Sequence, residues 1–261
     1  MHDPAFQEGS ELVVDDIDRA RAQEYALLAT LLSRSPDARM IGRLALLCGD
    51  ASPLDATHTA LAEAAAKANA ESVKMEYFDL FDGLGRGRLL PYASYYLTGS
   101  LYGRPLARLR ERLQRLGIER TEHHSEPEDH AAILCEIMAG VAGGQIPAPA
   151  ETEREIFEKH LAPWIGRFFA DLQRAESADF YARVGAVGRT FVDIETVAFT
   201  LTASGQGAVN FRGKLENDHA RFHRCVSCGY NNCRRRRCCS RSLRAGIVVD
   251  CLYRTQCPNL A

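Results

Sequence analysis

The chain has 261 residues, of which 46% are hydrophobic and 25% charged, as in ordinary soluble globular proteins. This length is enough for one large or two small domains. The acidic N-terminal stretch lacks the apolar core of a secretory signal, and no apolar run approaches the roughly 18 residues of a membrane span. We therefore expect a cytoplasmic protein without a membrane span.

The net charge of −2 is the sum of two opposed regions. Residues 205–261 carry eleven basic and three acidic side chains, whereas residues 1–204 carry 21 basic and 31 acidic ones. Seven of the nine cysteines lie from Cys225 onward. Two compositional shifts at one place predict a boundary near Gly205, between a domain at 1–204 and a basic, Cys-rich, poorly ordered C-terminal tail at 205–261.

Helical periodicity runs through most of the first 204 residues, without a convincing period-two strand or an internal repeat. The predicted class is all-α, a single helical domain of about eight or more helices, with Trp164, Phe168 and Phe169 as core anchors. The predicted helices are 15–32, one opened by Ser35-Pro36, one opened by Ser52-Pro53, an alanine-rich helix ending at Phe81, 104–116, one from Ser125 to Gly143, 151–175 with an interruption at Pro163, and 178–201.

An acidic motif, SEPEDH at 125–130, combines carboxylates with an imidazole. Ser125 and Glu128 fit a capping box, so the motif predicts a helix start. Capping does not explain Glu126 and His130, which would share one face of the first turn. The group could bind a metal, but it is better suited to a cationic peptide, because carboxylates take arginine as a bidentate partner and the domain is acidic.

Before this motif, residues 91–99 read PYASYYLTG and carry three tyrosines. These side chains are either core-edge residues with satisfied hydroxyl groups or the lining of a groove for an extended ligand. Five arginines decorate the helix at 104–116 and its start. They indicate a solvated face, and the acidic surroundings argue against nucleic acid as a partner.

No catalytic constellation stands out. Cys135 lies five residues after His130, and on one helix the two side chains would point about 140° apart, which argues against a Cys–His nucleophile pair. A hydrolase using His130 would lack a nucleophile or a paired acid beside it. We therefore predict a protein that is not an enzyme and needs no cofactor.

The tail offers an alternative function. Cys225, Cys228, Cys233 and Cys238 include a single CxxC pair, with irregular spacing and four arginines in between. They could form a structural zinc or iron–sulfur site, belong to a basic extension without order, or result from out-of-frame read-through. The alternative is thus a metal- or nucleic-acid-binding regulator that acts through this tail.

Four segments together are similar to those of a known protein family. They read EYFDLF at 76–81, PYASYYLTG at 91–99, EPEDH at 126–130 and FEKHLAPWIGRFFADL at 157–172. Over about residues 15–204 the chain resembles the TorD family of cytoplasmic chaperones for bacterial molybdoenzyme assembly. The resemblance implies a helical fold without catalysis. It also implies binding of the twin-arginine signal peptide, or the apoenzyme, of a molybdopterin oxidoreductase until its cofactor is inserted.

The resemblance also implies which residues bind the client. Glu126, Asp129 and His130 are expected to face it, while Ser125 and Glu128 hold the helix end. Residues 85–99 are similar to family members associated with formate dehydrogenases, so that enzyme is the first candidate client; dimethyl sulfoxide, trimethylamine N-oxide and nitrate reductases stay open. A monomer or a homodimer is expected. The positions that match the family pattern are Glu126, Pro127, Asp129, His130, Tyr92, Ser94 and Tyr95.

Overall fold

Ten α-helices make up most of the residues that the computed structural model describes, which are 16–47, 52–82, 89–120, 126–203 and 253–255. The predicted all-α class is confirmed. The elements are α1 (Asp16–Ser33), α2 (Ala38–Leu44), α3 (Pro53–Lys67), α4 (Ala70–Tyr77), a first π-helical turn (Phe78–Asp82), α5 (Ala93–Thr98), α6 (Arg104–Arg115), β1 (Ile118–Arg120), α7 (Ala131–Ala142), α8 (Ala150–Ile156), a second π-helical turn (Phe157–Leu161), α9 (Ala162–Arg174), α10 (Phe180–Ala203) and β2 (Tyr253–Thr255).

The two strands add a small antiparallel pair, in which Glu119 lies opposite Arg254. Sequence periodicity did not predict β1, because three residues are too few to show a period of two. The remainder of the tail lies outside the described residues. This applies to the predicted boundary near Gly205 and to the candidate metal ligands Cys225, Cys228, Cys233 and Cys238, all of which stay predictions.

The core forms around α7, whose first nine residues are all buried. Helix α7 packs against α1, while α10 packs against both α9 and α3. Trp164, Phe168 and Phe169 on α9 are fully buried, which confirms them as core anchors. Each large apolar side chain buried in this way contributes roughly 1.5–3 kcal/mol.

Several helix ends follow local capping rules. Ser52 caps α3, as predicted, and it also forms a capping box with Asp55, which was not predicted. The alanine-rich segment, predicted as one helix, is instead divided into α3 and α4, because the Asn69 side chain accepts a hydrogen bond from Ser72 N (2.9 Å) and opens a new helix. Helix α2 is capped by Asp37 rather than by Ser35.

The interruption predicted at Pro163 lies directly after the second π-helical turn. Helix α9 begins at Ala162, directly after this turn, and Pro163 occupies its first turn. Proline has no N–H to donate to the preceding turn, which favours a change of hydrogen-bonding pattern at this point. Single π-helical turns are often associated with functional sites.

Candidate functional site

Two sequence segments that are far apart in the chain meet where α5 and α7 begin. Tyr92 and His130 form an isolated antiparallel bridge. On one side of it Ala93 N donates to Asp129 O (3.0 Å), and on the other side Ala131 N donates to Pro91 O (2.7 Å). The tyrosine segment and the EPEDH motif, which the sequence presents separately, therefore form one structural unit. We call it the α5–α7 junction, comprising residues 91–95 and 126–131.

Asp129 connects the two halves of the junction through its side chain. It is only 1% exposed, and Oδ2 accepts a hydrogen bond from Ser94 N (2.8 Å) in the first turn of α5. A carboxylate there satisfies an N–H that the helix itself leaves unpaired, and it complements the positive end of the helix dipole. The other oxygen, Oδ1, has no hydrogen-bond partner among the described residues. Asp129 was expected to face a client, but the structure buries it as a helix cap.

His130 is the N-cap of α7. Its Nδ1 accepts a hydrogen bond from Ala132 N (3.1 Å), and its ring lies edge-on to Tyr92 with the centroids 5.1 Å apart. Burial lowers the pKa of His130 to about 4, although the charge of Glu126 acts in the opposite direction. The imidazole is therefore neutral near pH 7, with its proton on Nε2.

The helix start predicted at Ser125 is wrong. Helix α7 begins at Ala131, and the residues before it form a turn in which His130 N donates to Pro127 O (3.0 Å). Glu126 and His130 therefore do not share a helical face. Ser125 lies outside the described residues. The local capping-box pattern does not set the helix start, because backbone bonds from Asp129 and Ala131 to residues 91–93 hold His130 in a bridge before α7.

Glu128 was expected to hold the start of α7, but its partner is on another helix. It is buried, and Oε2 lies 2.8 Å from Arg110 on α6. This bond raises the pKa of Arg110. The pair fastens α6 to the turn that precedes α7, so Glu128 has a structural role that is not local capping.

Glu126 is the exposed carboxylate of the motif, and it receives a hydrogen bond from the Tyr92 hydroxyl. Tyr95 is also exposed, Tyr92 and Pro127 are half-buried, and Ser94 is fully buried. Of the seven positions predicted to bind a client, Glu126 and Tyr95 are thus the most accessible. The junction presents one carboxylate and tyrosine rings to solvent. The buried Asp129 and His130 bond to backbone N–H groups at the starts of α5 and α7.

Sequence reasoning missed an exposed apolar stretch that follows the tyrosines. Leu97, Leu101 and Tyr102 are 41%, 39% and 57% exposed. Tyr102 has a φ of 70°, which is unusual for a bulky residue, and its N–H donates to the buried Ser94 hydroxyl (3.0 Å). An exposed apolar patch and a strained backbone both indicate a binding surface. The sequence LTGSLYG at 97–103 could have indicated this surface, because its large apolar residues alternate with residues that end helices.

The described residues contain no other set that points to chemistry. Cys135 is buried in α7, and burial raises the pKa of its thiol to about 12, so it is not a nucleophile near neutral pH. Within the described ranges no group of three His, Cys, Asp or Glu side chains is arranged to hold a metal ion. Across the same ranges no helix has both the length and the apolarity to cross a bilayer.

Comparisons with known proteins identify relatives of the helical domain. The family model described as nitrate reductase delta subunit matches residues 49–170. Chaperone protein TorD of Vibrio cholerae is 27% identical over 126 residues, covering 45% of this chain and 57% of the relative. A Haemophilus influenzae protein named "Probable Tat proofreading chaperone DmsD" is 28% identical over 127 residues, covering 48% of this chain and 61% of the relative. The chain thus spans somewhat more than half the length of these relatives.

A solved structure from Archaeoglobus fulgidus, described as that of a redox enzyme maturation protein, is also similar. The match covers 74% of this chain and 99% of the other, with 19% identity and a TM-score of 0.42.

Proposed function

We propose that this chain, which is similar to proteins named as TorD and DmsD chaperones, is a non-catalytic chaperone that binds the twin-arginine signal peptide of a molybdoenzyme precursor. The observation that carries the proposal is the exposed Glu126, bonded to the hydroxyl of Tyr92, the residue at which the stretch with exposed apolar side chains begins. A leader peptide has paired arginines followed by an apolar stretch. The junction supplies a complementary group for each part.

The arginine site is Glu126. One of its oxygens already accepts a hydrogen bond from Tyr92, which fixes the carboxylate before a ligand arrives. A fixed side chain loses less conformational freedom on binding, so its pairing with a guanidinium gives more net affinity. Asp129 and His130 are positioning residues in this proposal, because they hold α5 and α7 in register beneath Glu126.

The apolar part of the leader would lie on Tyr95, Leu97, Leu101 and Tyr102. These four side chains are exposed within one short stretch that begins beside Tyr92. Aromatic and aliphatic side chains that are already ordered contribute contact area at low entropic cost. The hydrogen bond from the Tyr92 hydroxyl brings Glu126 to the start of this stretch, so paired arginines and the apolar residues after them would meet neighbouring groups.

The charge of the domain would bring such a peptide to the site. Residues 1–204 have ten more acidic than basic side chains, and this field attracts a cationic leader over a distance of about one Debye length. As a client we propose a formate dehydrogenase precursor, on the strength of residues 85–99, with dimethyl sulfoxide, trimethylamine N-oxide and nitrate reductases as the other candidates.

Calorimetry with synthetic twin-arginine leaders from these four enzyme classes tests the proposal. At least one leader should bind, and replacing its arginine pair by lysines should weaken binding because lysine cannot pair in a bidentate way. Glu126→Gln should lower the affinity about tenfold or more. The matched control is Glu151→Gln, an exposed carboxylate in the first turn of α8, which should change little. Failure of every leader and apoenzyme to bind would refute the proposal.

A further inference from the structure

A groove of about 480 Å³ is lined by residues of α5, α6 and the second π-helical turn. Its volume is in the range of specific ligand sites. Arg108, Arg112 and Arg115 line it from α6 at helical spacing, and Lys159 and His160 line it from the π-helical turn. We call it the basic groove.

The positive charge of the basic groove is only partly neutralised from within. Glu155 pairs with both Arg112 (2.6 Å) and Lys159 (2.8 Å). Arg108, by contrast, makes no hydrogen bond or ion pair with any residue in the described part of the chain, and its side chain is exposed. Burial lowers the pKa of His160, and the nearby Lys159, Arg112 and Arg108 lower it further against the effect of Glu155. The groove is therefore an environment that favours a negatively charged ligand.

Two polar atoms at the groove lack partners. Asp129 Oδ1 and Arg112 Nε are both buried without a hydrogen bond to a described residue, and both side chains line the groove. One is an acceptor and the other a donor. An unpaired buried polar atom is unfavourable, so a ligand that pairs with either atom after a side-chain rotation regains part of the lost free energy.

The combination of these groups selects the chemistry of the ligand. A phosphate at neutral pH is an anion that offers mainly acceptors. It suits the arginines, but the charge of Asp129 repels it. A peptide group supplies an N–H donor and a C=O acceptor together, and acidic side chains on the same peptide suit Arg108 and the other cations. We propose that the basic groove binds an acidic peptide segment of a partner protein.

This inference goes beyond the proposed function and does not rest on it, because the leader of that proposal is cationic and pairs with Glu126, which does not line the groove. The chain would then have two peptide-binding surfaces of opposite charge. Glu126 belongs to one of them and Arg108 to the other, so the two can be disabled separately.

Fluorescence anisotropy of the full chain with a labelled, blocked Glu-rich peptide tests the inference at low ionic strength. The Glu-rich peptide should bind, and a matched peptide with glutamine at every glutamate should not. Arg108→Glu should weaken binding about tenfold or more, since it replaces an attractive charge by a repulsive one. Arg104→Glu is the matched control, with the same change of charge on the same helix at an exposed position that does not line the groove.

Each remaining outcome decides against the inference. Equal binding of the two peptides, no binding of either, or equal losses from the two arginine substitutions would overturn it. Binding of inorganic phosphate that depends on Arg108, without binding of the Glu-rich peptide, would assign the groove to small anions and overturn it as well. Glu126→Gln should leave binding of the Glu-rich peptide unchanged, which separates this result from failure of the leader proposal.

Discussion

Two polar sites in this protein differ in how completely their hydrogen bonds are made. In the first, Arg21 on α1 lies 2.7 Å from Glu195 on α10 and 2.5 Å from Glu153 on α8, and the Tyr25 hydroxyl donates to Glu195 (2.8 Å). We call these four side chains the Arg21 cluster. In the α5–α7 junction, by contrast, one oxygen of Asp129 is unpaired and the neighbouring Glu126 is exposed.

The contrast separates structural from recognition roles. A buried charge that is fully paired holds helices in position, and nothing in it is left for a ligand. A polar group that is exposed or incompletely paired can still form a hydrogen bond or an ion pair with a ligand. We therefore expect substitutions in the Arg21 cluster to change stability alone, and substitutions in the junction to change stability and ligand binding in different proportions.

The largest effect is expected from Glu195→Ala. It would leave the buried Arg21 without its main partner, so the free energy of unfolding should fall by roughly 3–5 kcal/mol in urea titrations. Glu111→Ala, which removes an exposed ion pair with Arg115, is the control and should cost at most about 1 kcal/mol. Leader affinity of the folded Glu195→Ala variant should be unchanged; a large loss of affinity there would remove the distinction between the two sites.

The second effect concerns pH. The pKa of His130 is lowered on folding, so the unfolded chain binds the extra proton, and stability should be lost as pH falls from about 6.5 to about 4. The expected loss is roughly 1–3 kcal/mol, measured by urea titration across this range. His130→Gln should flatten this dependence.

His58 provides a control of opposite sign. Its pKa is raised: burial lowers it, but the paired Glu24 (2.9 Å) outweighs burial. The stabilisation by this pair should therefore be complete below pH 6.5 and should be lost as pH rises through the raised pKa. His58→Gln should remove the loss of stability at higher pH and should leave the loss between about pH 6.5 and 4 unchanged. A loss of stability at higher pH that persists in His58→Gln would contradict this assignment.

A third and smaller effect is expected from Asp129→Ala. Loss of the hydrogen bond to Ser94 N should reduce the free energy of unfolding by about 1 kcal/mol. The loss is this small because the substitution also removes the unpaired buried oxygen, which is unfavourable in the wild-type protein. If Asp129 only positions the junction, leader affinity of the folded protein should fall less than in Glu126→Ala. The reverse order would mean that Asp129 contacts the peptide directly.

The smallest effect is expected from Tyr92→Phe. The ring and its contact with His130 are kept, and only the hydroxyl that holds Glu126 is removed. Leader affinity should fall about threefold, since the carboxylate must then be ordered during binding. Tyr95→Phe is the matched control, and equal losses from the two variants would show that the hydroxyl of Tyr92 has no special role.

The amino-acid sequence was sufficient to predict the features that depend on near neighbours in the chain. Apolar periodicity predicted α1, the buried α7 and the aromatic core of α9, and Ser52 and Pro163 marked helix starts through local hydrogen bonding. These features follow from helix geometry, in which each backbone bond spans four residues. The family resemblance also rested on short contiguous segments.

The tertiary structure alone decided the roles within the EPEDH motif. Whether Asp129 faces solvent depends on α5, which lies 35 residues earlier, and Glu128 finds its partner 18 residues away on α6. The sequence favoured a helix start at Ser125 because the capping pattern there is locally complete. Pairing with residues 91–93 moved that start to Ala131, since bonds between distant segments satisfy the same backbone groups and bury the side chains as well.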